Sequence, residues 1–322
     1  MTKRILVAGG AGYIGSHVQK QLLDEGFEVL VFDDLSSGDE VNILPNAEFI
    51  RGNILDKQVL NMAMAEGIDG VVHLAAKKAV GESMMYPEKY AENNLTGSIN
   101  ILNAMVENGV RHIVFSSSAA VYGMPQYVPI DEKHPIAPIN YYGYTKRCIE
   151  ENMEWYAKLG KLNYAALRYF NAVGYAADKS IIGKERNPQN LLPIIMEAAT
   201  GKREKFSIFG NDYDTPDGTC VRDYVHVSDL ARAHTAAMRK LMENDVSFTV
   251  NLGTGKGTSV KEIVEATEKI IGRKLNYDYA ARRAGDPAKL TANADVAREI
   301  LGWYPEYTNV EDIIRTVWNL EI

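Results

Sequence analysis

Three glycines, Gly9, Gly12 and Gly15, follow directly on a short apolar run, Arg4 to Ala8 (RILVA). They open a stretch of helical periodicity, Tyr13 to Glu25, that stops at Gly26. A buried strand that turns through glycines straight into a helix admits few architectures. The pattern then repeats. Strand-like runs stand at Glu28 to Phe32, Glu48 to Ile50, Gly70 to Leu74, His112 to Phe115 and Tyr164 to Leu167. Helical stretches lie between them, about Lys57 to Glu66, Glu88 to Asn108 and Tyr142 to Leu159. Such alternation predicts an α/β chain whose parallel sheet is covered on both faces.

After Phe170 the pattern loosens. Asn171 to Asn190 is irregular and polar, and a short strand follows near Phe206 to Phe209. Val221 to Val227 and the helix near Ser228 to Glu243 read as a return to the sheet. Phe248 to Leu252, a helix near Val260 to Ile271, a strand at Leu275 to Tyr279 and two C-terminal helices complete the chain. The expected division is a doubly wound sheet from residues 1–173 plus 221–250, and a smaller lobe from 174–220 plus 251–322.

Glycines at this turn let the backbone approach a pyrophosphate, and the helix N-terminus presents N–H groups to that anion. Asp33 closes the second strand. An acid there can bond a ribose diol and would repel a 2′-phosphate, so the dinucleotide expected is NAD, in a Rossmann-type fold.

Tyr142 and Lys146 stand at i and i+4 of a predicted helix and share one face. Ser118 is the last of three serines that follow a strand, and ligands of open parallel sheets bind at strand C-terminal ends. A phenol with a reference pKa near 10 is a poor base at neutral pH. A neighbouring ammonium and a nicotinamide cation would both favour phenolate. Ser118 could hold or relay the proton of a substrate hydroxyl.

With these residues in place the chain resembles the extended short-chain dehydrogenase/reductase superfamily, and within it the UDP-glucose 4-epimerase family. The segments that carry the likeness are GGAGYIGSH (Gly9 to His17), AVGES (Ala79 to Ser83), SSSAAVYG (Ser116 to Gly123), the Tyr142–Lys146 pair and RYFNAVG (Arg168 to Gly174). The most specific is IFGNDYDTPDGTCVRDYVHV, Ile208 to Val227.

The resemblance implies a bound NAD rather than a co-substrate, and a UDP-hexose oxidised at C4 to a bound 4-keto sugar. The sugar then turns, and hydride returns from NADH to its opposite face, interconverting UDP-glucose and UDP-galactose. It further implies that Tyr142 takes the 4-hydroxyl proton, that Lys146 bonds the nicotinamide ribose and that Asp33 bonds the adenosine ribose. Asn53, where the family usually has aspartate, and Ile54 would sit by the adenine. Tyr13, Ile14, Lys78, Asn93 and Tyr169 would contact the cofactor. Arg222 and Arg283 would meet the diphosphate, helped by Asn171 and Asn190, with Leu191 also in contact with the substrate. Phe209 would line the uridine site and Asp286 would bond its ribose. Leu290 would line the hexose pocket, where a bulky residue excludes an N-acetyl group and leucine is intermediate. The loop 175–189 departs from the familiar pattern. A homodimer through the helices near Glu88 to Asn108 and Tyr142 to Leu159 is implied as well.

Other classes are narrowed by what the chain lacks. A net charge of -7 argues against nucleic-acid and anionic-membrane partners. No apolar run approaches the roughly 18 residues of a membrane span. The N-terminus lacks the pattern of a secretory signal, so a cytoplasmic protein is expected. Two cysteines, Cys148 and Cys220, make neither a disulfide framework nor a zinc site. The six histidines (His17, His73, His112, His134, His226 and His234) form no metal-binding spacing, and no metal is expected. Three rival readings share the fold. A 4,6-dehydratase needs an acid–base pair near the serine, where Ala119 and Ala120 stand. A UDP-N-acetylglucosamine 4-epimerase is left open by Leu290, whereas a UDP-glucuronate 4-epimerase would need a site for a C6 carboxylate, which no residue here identifies and which the segment Ile208 to Val227 speaks against. A silent NAD-binding regulator could dispense with the Tyr–Lys pair that this chain keeps.

Overall fold

The computed structural model describes residues 2–184, 190–283 and 285–322. Positions 185–189 of the divergent loop therefore lie outside the described residues. The larger layer begins with β1 (Arg4–Ala8), β2 (Glu28–Asp33), β3 (Glu48–Arg51), β4 (Gly70–His73), β5 (His112–Ser118) and β6 (Asn163–Tyr169). Three strands intervene, β7 (Asn171–Val173), β8 (Phe206–Phe209) and β9 (Val221–His226), before β10 (Phe248–Leu252) joins the same sheet. Its order is β10-β6-β5-β4-β1-β2-β3, with all neighbours parallel.

The period-two alternation of β1 shows why both faces are covered. Ile5 and Val7 enter one core with Val18, Leu22, Leu230 and Leu241. Leu6 and Ala8 enter the opposite core with Leu60, Ile101 and Ile149. Each large side chain so buried contributes about 1.5–3 kcal/mol. Strand order reverses at β1, which has β2 on one side and β4 on the other. In such sheets the crevice at that reversal, beyond the strand C-terminal ends, is where ligands bind.

The smaller lobe has its own sheet and core. β9 pairs with β7, with β11 (Gly257–Ser259) and with β13 (Lys289–Leu290), while β8 pairs with β12 (Tyr277–Ala280). This corrects the expected return of Val221–Val227 to the large sheet. Asp223 is the physical reason: its carboxylate accepts from the amides of Thr254, Gly255 and Ala292, which ties β9 to the loops of the smaller lobe. The helix Val227–Asn244 and β10 do rejoin the large layer. A helix at Leu191–Ala199, not foreseen, carries Pro193 in its first turn, where a missing N–H costs nothing. The expected helix from Glu88 to Asn108 is instead Pro87–Tyr90, a wider turn at Ala91–Thr96, and Gly97–Glu107.

Candidate active site

The glycine turn is built for close approach. Gly9 sits at φ 84°, and a Cβ there would lie 2.6 Å from the Ala75 backbone nitrogen. A Cβ on Gly15 would run into the Gly9 carbonyl oxygen. Gly12 caps the helix Tyr13–Asp24 with no side chain to bond its first-turn N–H groups. Asp33, 8% exposed, ties this turn to the end of β2, accepting from Ala11 N at 3.0 Å and Leu35 N at 2.9 Å. Burial raises its pKa and these two amides pull it back down. A cradle that side chains would fill, beside a carboxylate at the next strand end, fits a dinucleotide.

Around it stand the other residues expected near a cofactor. Asn94 clamps the backbone of Lys77, accepting from its N–H at 2.8 Å and donating to its carbonyl at 2.9 Å, which fixes the entry to Lys78. Asn93 donates to Asn94 at 2.9 Å. Asn53 donates to Asp34 at 2.8 Å, and its oxygen accepts from Leu55 N at 2.9 Å. The Asn53 oxygen, one lone pair engaged by this amide, keeps a second to offer. Ile54 is buried, with its side chain against Gly97. Tyr13 donates from its hydroxyl to the Gly174 carbonyl at 2.5 Å, joining the glycine helix to the small lobe.

The helix Tyr141–Lys158 starts on Asn140, whose side chain accepts from Gly143 N at 2.8 Å. Its first turns bring Tyr142 against the end of β5, with the Ser118 hydroxyl close to the phenol. Burial pushes the Tyr142 phenol well above its ordinary range, the field of Tyr169 adds to this, and the Ser118 hydroxyl opposes it. Lys146, 3% exposed, donates to the Ser116 carbonyl at 2.7 Å. Burial draws its pKa down to about 7, against the pull of Glu150. Tyr169 is raised to about 12 by burial, with a bond to Ser116 opposing. Burial thus works against the charged forms of both Tyr142 and Lys146.

On the small lobe Arg222 and Asp286 come together at 3.4 Å, and Arg222 also donates to the carbonyls of Val221 and Pro287. The Arg283 guanidinium lies 4.0 Å over the Phe209 ring. Asn171 donates to the Asp223 carbonyl at 3.0 Å. Leu290 pairs in register with Arg222 and packs on the cluster of Ala119, Tyr122 and Phe170, just beyond Ser118. Asn190 and Tyr13, one expected on the substrate and the other on the cofactor, line the same small cavity. Leu191, partly buried, packs against the lobe's core.

Two side chains without an assigned role are drawn in as well. Glu150 and Arg168 form a buried bidentate pair directly behind Lys146. Glu150 repeats the Tyr142–Lys146 spacing one turn further on, the one signal in the sequence that could have marked it. Among the described residues no cluster of histidine, cysteine, aspartate or glutamate is arranged to hold a metal.

Comparison with known proteins finds relatives over nearly the whole chain. Residues 5–253 match the profile of the NAD dependent epimerase/dehydratase family. A UDP-glucose 4-epimerase of Streptococcus mutans is 46% identical over 318 residues, spanning 98% of this chain and 95% of the relative. The crystal structure of UDP-glucose 4-epimerase from Brucella ovis in complex with NAD superposes with a TM-score of 0.95 at 43% identity, covering 98% of this chain and 97% of that one. The UDP-Glc/GlcNAc 4-epimerase of Campylobacter jejuni gives 0.87 at 40% identity, with 99% of each chain covered.

Proposed function

The chain belongs to the NAD dependent epimerase/dehydratase family, and from that premise we propose that it interconverts UDP-glucose and UDP-galactose by inverting C4. The observation that carries this reading is the meeting of Tyr142, Ser118 and Lys146 at the strand ends beside the glycine cradle. When bound, NAD supplies a reversible hydride acceptor and a positive ring. The chain's own residues do the rest. The Tyr142 hydroxyl, as phenolate, takes the proton of the sugar 4-hydroxyl and later returns it. Ser118 steadies that hydroxyl. Lys146 as an ammonium makes the phenolate attainable in a buried setting that otherwise opposes it.

The sugar must turn between the two halves of the reaction, so the grip belongs on the UDP. Arg222 and Arg283 suit the diphosphate oxygens, Asn171 and Asn190 add hydrogen bonds, Phe209 faces the uridine and Asp286 its ribose. Remote binding energy of this kind holds the reacting centre without gripping the hexose. In this reading the large sheet serves the cofactor, and the smaller lobe, with β7 and β9 in its sheet, serves the UDP-sugar.

The same reading includes a cytoplasmic homodimer. Ile99 and Val106 on one helix, and Tyr144, Trp155 and Leu159 along and just beyond another, are exposed apolar side chains. A groove between the two helices is lined by Leu95, Ile99, Leu102 and Ile149. Both thiols are free, as a reducing compartment keeps them. No described helix is long and apolar enough to cross a membrane.

Leu290 supports a second substrate, the N-acetylated UDP-hexose, because leucine is smaller than the aromatic residue that would exclude it. The test of the main reading is to incubate the purified protein with UDP-galactose and no added NAD. UDP-glucose should form; none formed even with NAD supplied would refute the reaction. UDP-N-acetylglucosamine turned over at a comparable rate would broaden the specificity.

A further inference from the structure

Three consecutive serines of β5 meet one face of the helix Tyr141–Lys158. Ser118 lies close to the Tyr142 hydroxyl, the Ser116 carbonyl accepts from Lys146 Nζ at 2.7 Å, and the Ser117 hydroxyl donates to Glu150 Oε1 at 2.6 Å. The helix residues are spaced by four, so they stack along a single face. Tyr142 and Lys146 belong to the chemistry proposed above, and Glu150 has no place in it.

Glu150 is 1% exposed, and a carboxylate so buried is costly unless fully bonded. Arg168 of β6 supplies those bonds, Nε to Oε1 at 2.9 Å and Nη2 to Oε2 at 2.7 Å. Arg168 is itself braced, donating to the Tyr122 hydroxyl at 3.1 Å, while Tyr122 donates to Asn251 Oδ1 at 2.6 Å. Arg147 adds a longer contact to Glu150 at 3.5 Å. The desolvation of a buried ion pair largely offsets its attraction, so the pair contributes little net stability. What it does contribute is a fixed position and a fixed charge.

The surroundings of Lys146 are otherwise poor in anions. Phe115 of β5 lies 4.6 Å from its ammonium and the Tyr142 ring 5.8 Å. His73 of β4 is held neutral by burial, its pKa lowered to about 3. Tyr169 of β6 and Tyr90 act on Tyr142. Glu150 is the carboxylate that acts on Lys146.

We propose that Glu150, locked by Arg168 and Ser117, is the positioning residue for Lys146. It sets the register of the helix on β5 and serves as the anionic counterpart of the ammonium. The proposal rests on Tyr142 and Lys146 being the acid–base pair.

Removing one partner would strand a buried charge, so the first test replaces both, Glu150→Met with Arg168→Met, which keeps volume and removes the desolvation cost. The double variant should melt within a few degrees of the parent and retain its NAD. Its kcat for UDP-galactose should fall about tenfold with KM unchanged, and the alkaline limb of the kcat profile should move down by about one pH unit. Glu150→Asp, which keeps the charge, should recover part of the loss. A folded double variant with parental kcat and an unmoved limb overturns the proposal. If the double variant does not fold, Glu150→Gln with Arg168→Gln keeps the Ser117 bond, strands no charge and reads the loss of the charged pair. Its alkaline limb should move the same way, and an unmoved limb again overturns the proposal. Full turnover by Tyr142→Phe would instead overturn the acid–base reading beneath it, so the two failures are separable.

Discussion

Gly9 and Gly15 face each other across the turn, with no room for a Cβ on either. Gly15→Ala should therefore cost about 1–3 kcal/mol in overpacking and strip the protein of NAD. Thermal melting, together with the absorbance of cofactor released on denaturation, checks both. Tyr142→Phe removes only a hydroxyl; it should leave melting and NAD content near parental and lower kcat by about 10²–10⁴-fold, read with UDP-galactose. At this scale the glycine spacing, Asp33 and the Tyr142–Lys146 pair were legible because each is a local pattern with a physical reason. Glu150 was not. A carboxylate in a helix reads as solvated, and it is Arg168 and Ser117, on separate strands, that make its burial tolerable. Asn53 was legible as a departure, but its engagement with Asp34 and the Leu55 amide depends on how the ends of β2 and β3 meet.

The elements that carry these residues differ in how they declare themselves. The helix Val260–Ile271 was placed from sequence with the bounds it has, since its ends are locally marked: Ser259 and Glu262 form a reciprocal cap and Gly272 ends it in the left-handed region. β9 was assigned to the wrong sheet, because its partners come from three distant parts of the chain. Its strand propensity says nothing of which sheet it joins. The helix Tyr141–Lys158 depends on Asn140 at its start. Asn140→Ala should cost about 1 kcal/mol, a melting decrease of about 1–2 °C. Since Tyr142 lies in the first turn, kcat should drop with it, and comparing the two losses shows how far a frayed start disturbs the phenol.

Across the whole molecule, the expected two-sided sheet and smaller lobe are present, and the interior holds neutral histidines on both sides of their junction. Burial lowers the pKa of His17 and His234 to about 4 and of His73 and His226 to about 3. His17 must be neutral at Nε2, which accepts from the Ala176 amide at 3.1 Å. In the unfolded chain each imidazole takes its proton near pH 6.5, so the unfolded state binds more protons between there and about pH 3–4. Their contribution is therefore whole above pH 6.5 and is lost as pH falls, by up to about 1.4 kcal/mol per unit for each. The melting temperature should fall steeply from pH 6.5 to 4; a flat profile would show that these imidazoles are not held neutral. The smaller lobe is assembled from β7 to β9, β11 to β13 and the helix Val310–Trp318. Between these stretches the chain goes back to the large sheet with β10, and then again with Ala297 and Trp303. A lobe so interlaced is not a cassette that recombination can lift out and exchange. New sugar preferences in such a scaffold have to arise by point replacement in place, at positions such as Leu290, while the frame that holds them is inherited whole.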